Sequence, residues 1–171
     1  RQDQLKIDMH IENEDSMDRM IKNLRSKVNN LDINGDNNTT KTLNVLLSQV
    51  QNYIISISNL ALLYQKMGEF NKAEPLLKKC VGMMENLFGL QNINTIDMVA
   101  NLASIMQDLK QLEEAEVLYR RVLEAKQQLL GTSHPSTITT LNNLASCLFN
   151  QCKSSNNIKF LEALTLFEEA L

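Results

Sequence analysis

The stretch NLALLYQKMGEFNKAEPLLKKC, Asn59–Cys80, is answered by NLASIMQDLKQLEEAEVLYRRV at Asn101–Val122, and its opening triplet returns at Asn143–Ala145. Both intervals (59 to 101, 101 to 143) are 42 residues. A strict period of this size marks a chain of stacked units, each too small to bury its own apolar face. Such arrays present a long concave surface rather than an enclosed reaction chamber.

Superimposing the triplets also brings the residues C-terminal to them into register. Ala73 falls on Ala115, Leu77 on Tyr119, Cys80 on Val122 and Gly89 on Gly131. Each unit therefore reads as two antiparallel helices with a tight turn between them. Gly68 ends the first helix, and a second runs from about Glu69 to Phe88 and closes at Gly89. The third unit departs from the pattern, because Ala163 lies 48 residues after Ala115. Six extra residues therefore fall within 150–159, around Ser154-Ser155-Asn156-Asn157, where a longer turn costs little free energy.

Upstream of the first triplet, Leu43, Leu46, Leu47, Val50, Tyr53, Ile54, Ile57, Leu60, Ala61 and Tyr64 form one unbroken apolar stripe. The stripe predicts a single helix to about Lys66 with Thr39 or Thr40 as N-cap. Before it, Asn34-Gly35-Asp36-Asn37-Asn38 is turn chemistry. It is not a calcium loop, since the positions that need glycine and glutamate hold Asn37 and Leu43. Earlier still, Ile7, His10, Glu14, Met17, Ile21, Leu24, Val28 and Leu31 alternate steps of three and four. The seam is apolar only from Met17 onward. It reads either as an amphipathic helix packed on the next element or as the end of a self-associating coiled coil.

The motif Leu60-Ala61-xx-Tyr64-xxx-Gly68-x-Phe70-xx-Ala73-xxx-Leu77-xx-Cys80 resembles the tetratricopeptide repeat (TPR). The run Ala115–Glu124, followed by Leu130-Gly131-x-x-His134-Pro135 and Leu141–Ala145, looks like the longer, kinesin-light-chain type of that repeat. The first unit lacks the His-Pro pair and reads Gly89-Leu90-Gln91-Asn92-Ile93 instead. The resemblance implies an all-α solenoid with a leading helix in 1–38 and an array over 39–171. Its repeats would be about 52–93, 94–135 and 136–171, and the array would continue past the last residue. It also implies that Ala61, Ala103 and Ala145, with Ala73, Ala115 and Ala163, sit where helices cross.

In this family the first helix of each repeat lines the groove. That assigns Ile55, Ser58, Asn59, Leu62 and Lys66 to the groove from repeat one. Repeat two supplies Asp97, Ala100, Asn101, Ser104 and Asp108, and repeat three Thr139, Asn142, Asn143, Ser146 and Asn150. The recurring amide of Asn59, Asn101 and Asn143 carries both donors and an acceptor, which suits the backbone of a captured peptide. The competing reading is that each Asn ties down its own repeat. In the groove reading specificity comes from neighbours such as Lys66 and Asp108, with Leu62, Ser104, Asn142 and Ser146 as further peptide-binding positions.

Composition narrows the remaining classes. With 17 Lys+Arg against 20 Asp+Glu, and 5% aromatics without Trp, the chain lacks the basic, stacking surface of a nucleic-acid binder. No apolar run is long enough to span a membrane. Cys80, Cys147 and Cys152 have no metal or disulfide spacing and fit a reducing compartment. His134 reads as a capping or packing residue, and Glu113, Glu114 and Glu116 as a solvated helix face. No cofactor and no catalytic residues are expected. A protein or peptide is the expected partner, with self-association through the leading helix as a further expectation. The expected setting is cytoplasmic, with the resemblance pointing to cytoskeleton or cilium. A permanent subunit of a large assembly is the alternative to an adaptor.

Overall fold

The computed structural model describes residues 19, 26, 37–152 and 157–169, and the leading seam and turn lie outside them. Six α-helices are present among the described residues: α1 (Asn37–Lys66), α2 (Phe70–Phe88), α3 (Ile93–Asp108), α4 (Leu112–Leu130), α5 (Pro135–Cys152) and α6 (Asn157–Glu169). The chain divides into two compact units, Arg1–Ile54 and Ile55–Leu171, with the division inside α1.

Within Ile55–Leu171 the helices alternate as the period predicts. The first helices of the repeats are the end of α1, then α3 and α5; α2, α4 and α6 are the second helices. The six alanines expected at helix crossings are 0–1% exposed, as close-packed crossings require. Around them Leu77, Met84, Ile105, Tyr119, Leu144 and Leu148 are fully buried. Each such aliphatic side chain contributes roughly 1.5–3 kcal/mol. Cys80 and Cys147 lie in this core and Cys152 at its edge, all as free thiols.

Equivalent residues start the two later first helices. The Asn92 side chain accepts from the amides of Asn94 and Thr95, at 3.0 and 3.4 Å. At the corresponding place His134 Nδ1 accepts from the Ser136 amide at 3.1 Å. Pro135, with no amide hydrogen to orphan, occupies the first helical position. In the first repeat the same position is Val50, which can cap nothing, and α1 continues upstream to Asn37. Thr39 and Thr40 therefore lie inside the helix rather than capping it.

The turns within repeats one and two share one hydrogen-bond pattern. Glu69 N reaches Tyr64 O and Gly68 N reaches Gln65 O; Gln111 N reaches Met106 O and Lys110 N reaches Gln107 O. This is the Schellman closure, which needs a left-handed residue. Gly68 supplies it at φ 77° in repeat one, whereas Lys110 adopts φ 64° in repeat two.

In repeat three helix α5 runs to Cys152 and α6 is described from Asn157, so most of the added residues are helical. Gln151 and Lys159 thereby become helical side chains, with consequences at the next seam.

Candidate functional site

Spacing of three, four and seven residues on a helix places side chains on one face. Asn59, Leu62 and Lys66 share such a face on α1, Asn101, Ser104 and Asp108 on α3, and Asn143 and Ser146 on α5 beside Asn142. Asn59, Lys66, Asp108 and Asn142 are exposed, and Leu62, Asn101, Ser104, Asn143 and Ser146 half-buried. The nine residues are therefore reachable, but they are not equivalent.

Two of them are fastened by a contact that repeats. Gln65 Nε2 donates to Ser104 Oγ at 3.0 Å, and Gln107 Nε2 donates to Ser146 Oγ at 3.4 Å. Donor and acceptor advance together by one period, so the bond is a rung of the repeat-to-repeat seam. Gln65 also donates to Asp108 Oδ2 at 2.5 Å. Ser104 pairs in addition with the Tyr119 hydroxyl, whose burial pushes its pKa up to about 12 against the opposing pull of that hydrogen bond.

The Asn side chains differ. Among the described residues the amides of Asn59, Asn101 and Asn143 take part in no hydrogen bond with the chain, whereas Asn92 caps its helix. Asp97, half-exposed on the same face of α3, is held by Lys126. That lysine is 5% exposed, with its ammonium 2.8 Å from Asp97 Oδ1 and donating to Ser136 Oγ at 2.7 Å. A buried ammonium needs such partners. The repeat alignment carried the signal, since Lys126 occupies the position of the fully buried Met84.

Glu116 departs from its expected place on a solvated face. Its side chain is only 15% exposed, covered by the lengthened ends of α5 and α6. Gln151 Nε2 donates to Glu116 Oε2 at 3.0 Å and to Leu112 O at 2.9 Å. Lys159 Nζ reaches the same carboxylate at 2.8 Å and also donates to Gln151 Oε1. Arg120 spans Glu116 and Glu162 at 2.9 and 2.6 Å. Burial alone would raise the Glu116 carboxyl; the hydrogen bonds from Lys159, Arg120 and Gln151 outweigh it and hold the group below the usual carboxylate range. This network braces the second seam.

Among the described residues no cluster of His, Cys, Asp or Glu is placed to hold a metal ion, and no helix is long and apolar enough to cross a membrane.

Tetratricopeptide-repeat family profiles match residues 54–94 and 92–155. Among solved structures, kinesin light chain nearly identical TPR-like repeats from Podosopora anserina superimpose with a TM-score of 0.62 at 23% identity, covering 70% of this chain and 54% of that one. A Q17M form of the same repeats gives 0.62 at 22%, with coverage of 70% and 54%. BtubC (BKLC) from P. vanneervenii gives 0.61 at 20%, covering 76% of this chain and 54% of that one. The chain thus spans about half the length of the structures it matches. No curated protein matches it.

Proposed function

The chain belongs to the tetratricopeptide-repeat family, with repeats of the kinesin-light-chain-like fold, and from that premise we propose that it is a non-catalytic scaffold holding a peptide segment of a partner protein along its first helices. The observation that carries this reading is the set of Asn59, Asn101 and Asn143, recurring once per repeat with side chains that bond to nothing among the described residues. An amide that stabilised its own repeat would be engaged, as Asn92 is. Free amides one repeat apart can pair with backbone groups spaced several residues apart along an extended peptide, independent of its sequence.

Selectivity then falls to the neighbours. Ser104 and Ser146 are engaged in the seam and present their remaining acceptor capacity. Leu62, Asn142, Lys66 and Asp108 supply an apolar contact, a further amide and two charges of opposite sign. Cytoskeletal or ciliary placement, cytoplasmic residence, the 39–171 extent of the array and association through the leading helix belong to this proposal as well.

A displayed peptide library panned on the full 171-residue chain tests it. Selected peptides should lose binding to an Asn59/Asn101/Asn143→Ala triple variant and retain it in a Glu124→Ala control on the second helix of repeat two. Peptides indifferent to the triple change would remove the groove reading and leave a permanent structural subunit in its place.

A further inference from the structure

The brace of the second seam has no counterpart at the first, and a cavity stands in its place. Across the second seam the Leu112 carbonyl accepts from Gln151 Nε2 at 2.9 Å and from Cys147 Sγ at 3.4 Å. The Gln151 amide and the Lys159 ammonium also reach the Glu116 carboxylate, at 3.0 and 2.8 Å. One period earlier Phe70 stands for Leu112, Glu74 for Glu116, Ile105 for Cys147 and Leu109 for Gln151. Both acceptors persist, but both donors on the facing helix have become aliphatic. Lys159 lies 48 residues after Gln111, as Ala163 does after Ala115. Gln111 is exposed, and its side chain bonds to nothing among the described residues.

The cavity measures about 290 Å³ and is lined by Gly68, Glu69, Phe70, Asn71, Lys72 and Leu109. Phe70 and Leu109 are the counterparts of the bonded pair Leu112 and Gln151, so it opens where the second seam places a glutamine side chain. It lies between repeats one and two, at an interior seam. Its size suits a single inserted side chain rather than a drug-sized molecule.

The surroundings select that side chain. The Phe70 carbonyl receives no side-chain donor among the described residues, although a carbonyl has two lone pairs. Glu74, four residues on, is 20% exposed, and its partner Lys78 is 51% exposed. Glu69 pairs with Lys72, which is 63% exposed and lies over the Tyr64 ring at 5.5 Å. The charge of Lys72 is therefore already matched. Both lysines hold their acids from the water side, in pairs that cost little to loosen. What the cavity lacks is two N–H donors on one stem, the first for a carbonyl and the second for a carboxylate one turn away. A guanidinium presents both in a single planar fork, and its alkyl stem can lie along Phe70 and Leu109.

We propose that this cavity binds an arginine side chain of a partner protein, with the guanidinium donating to the Phe70 carbonyl and the Glu74 carboxylate. It does at the first seam what Gln151 and Lys159 do at the second. The site uses none of the three Asn side chains, so it stands apart from the groove reading.

Titration of the full 171-residue chain with N-acetylarginine amide, followed by NMR, tests the site. The backbone amides of 69–72 and Leu109 should shift together and saturate in the millimolar range, as suits one side chain. Glu74→Gln should weaken binding about tenfold. Leu109→Gln places the second seam's own amide in the cavity and should abolish binding with helicity retained by circular dichroism. N-acetyllysine amide, with a point charge in place of the fork, should bind about tenfold more weakly. The Asn59/Asn101/Asn143→Ala variant should bind the arginine derivative as the wild type does, which separates this site from the groove. No saturable shift overturns the proposal, as does a response that survives Leu109→Gln, vanishes in the triple variant or is matched by the lysine derivative. Free L-arginine should bind no more tightly than the blocked form. Tighter binding of the free amino acid would make it the ligand and overturn the assignment to a partner protein.

Discussion

The two interior seams share one rung and differ beneath it. Across the first, Gln65 reaches Ser104 and Asp108, and Arg121 reaches Glu85 at 2.5 Å between exposed side chains. Across the second, Gln107 reaches Ser146, and a half-buried network of Glu116, Gln151, Lys159, Arg120 and Glu162 lies beneath that rung. The cause is the insertion in repeat three. It added helix to α5 and α6, and the added residues bring Gln151 and Lys159 onto the Glu116 carboxylate. Glu74, the counterpart of Glu116, is nearly as buried, at 20% exposed, but among the described residues its one ion pair is with Lys78 on its own helix, at 2.7 Å. An insertion in one repeat thus changed the chemistry of its neighbour.

Replacing the two carboxylates should show the difference most clearly. Glu116→Ala removes the shared acceptor from half-buried Lys159 and buried Gln151, at a cost of about 2 kcal/mol. Glu74→Ala removes a single i,i+4 pair whose lysine is half in water, worth about 0.3–0.5 kcal/mol. Urea unfolding of both variants measures the ratio, and equal losses would end the distinction between the seams. Acid supplies the same contrast. The folded Glu116 carboxyl titrates below its ordinary value of 4.5, so its stabilisation is full above that pH. It drains as pH falls through the lower, folded value. Below pH 4.5 the wild type should therefore lose stability more steeply than Glu116→Gln, whose curve lacks this contribution.

The architecture was legible in the sequence because helix crossings demand small residues and turns demand special backbone. Ala61, Ala103 and Ala145 at one interval, and Gly68, Gly89 and Gly131 at the helix ends, express those demands directly. The brace was not legible. Glu116 follows Glu113 and Glu114 in a run that reads as solvated, and only helix over positions 150–152 and 157–159 brings Gln151 and Lys159 to it. The serines were misleading for a related reason. Ser104 and Ser146 lie on the expected face, but nothing in one repeat announces that the glutamine of the preceding repeat reaches across to them. That signal is a pair of positions offset by 39 residues, visible only when two repeats are read together. His134, read as a capping or packing residue, shows the opposite case, since a cap is local chemistry and it does cap its helix.

The shared rung should itself be uneven. Gln65 donates to two acceptors, one of them a carboxylate, whereas Gln107 donates to a single hydroxyl at the longer distance of 3.4 Å. Hydrogen bonds to charged groups are the stronger, so Gln65→Leu should cost about 1 kcal/mol and Gln107→Leu about 0.5 kcal/mol. Hydrogen exchange of the α3 and α5 amides reports each seam separately. A larger effect at Gln107 would mean that the second seam leans on its rung despite the brace beneath.

The smallest effect expected concerns the turns that feed the seams. Gly68 and Lys110 close the same Schellman motif, both with positive φ. A side chain in that conformation costs about 1 kcal/mol or more, because its Cβ crowds the following carbonyl. Lys110→Gly removes that strain but frees the unfolded chain, which returns roughly half of the gain. The net should be a stabilisation of about 0.5 kcal/mol, seen as a small rise in the urea midpoint. Lys110 is exposed and makes no ion pair among the described residues, so little else is lost with its side chain. The turn of repeat one already holds glycine, and Gly68→Lys should therefore shift the midpoint by a similar amount in the opposite direction. If Lys110→Gly destabilised instead, the lysine would be holding the seam by a contact that its backbone alone does not reveal.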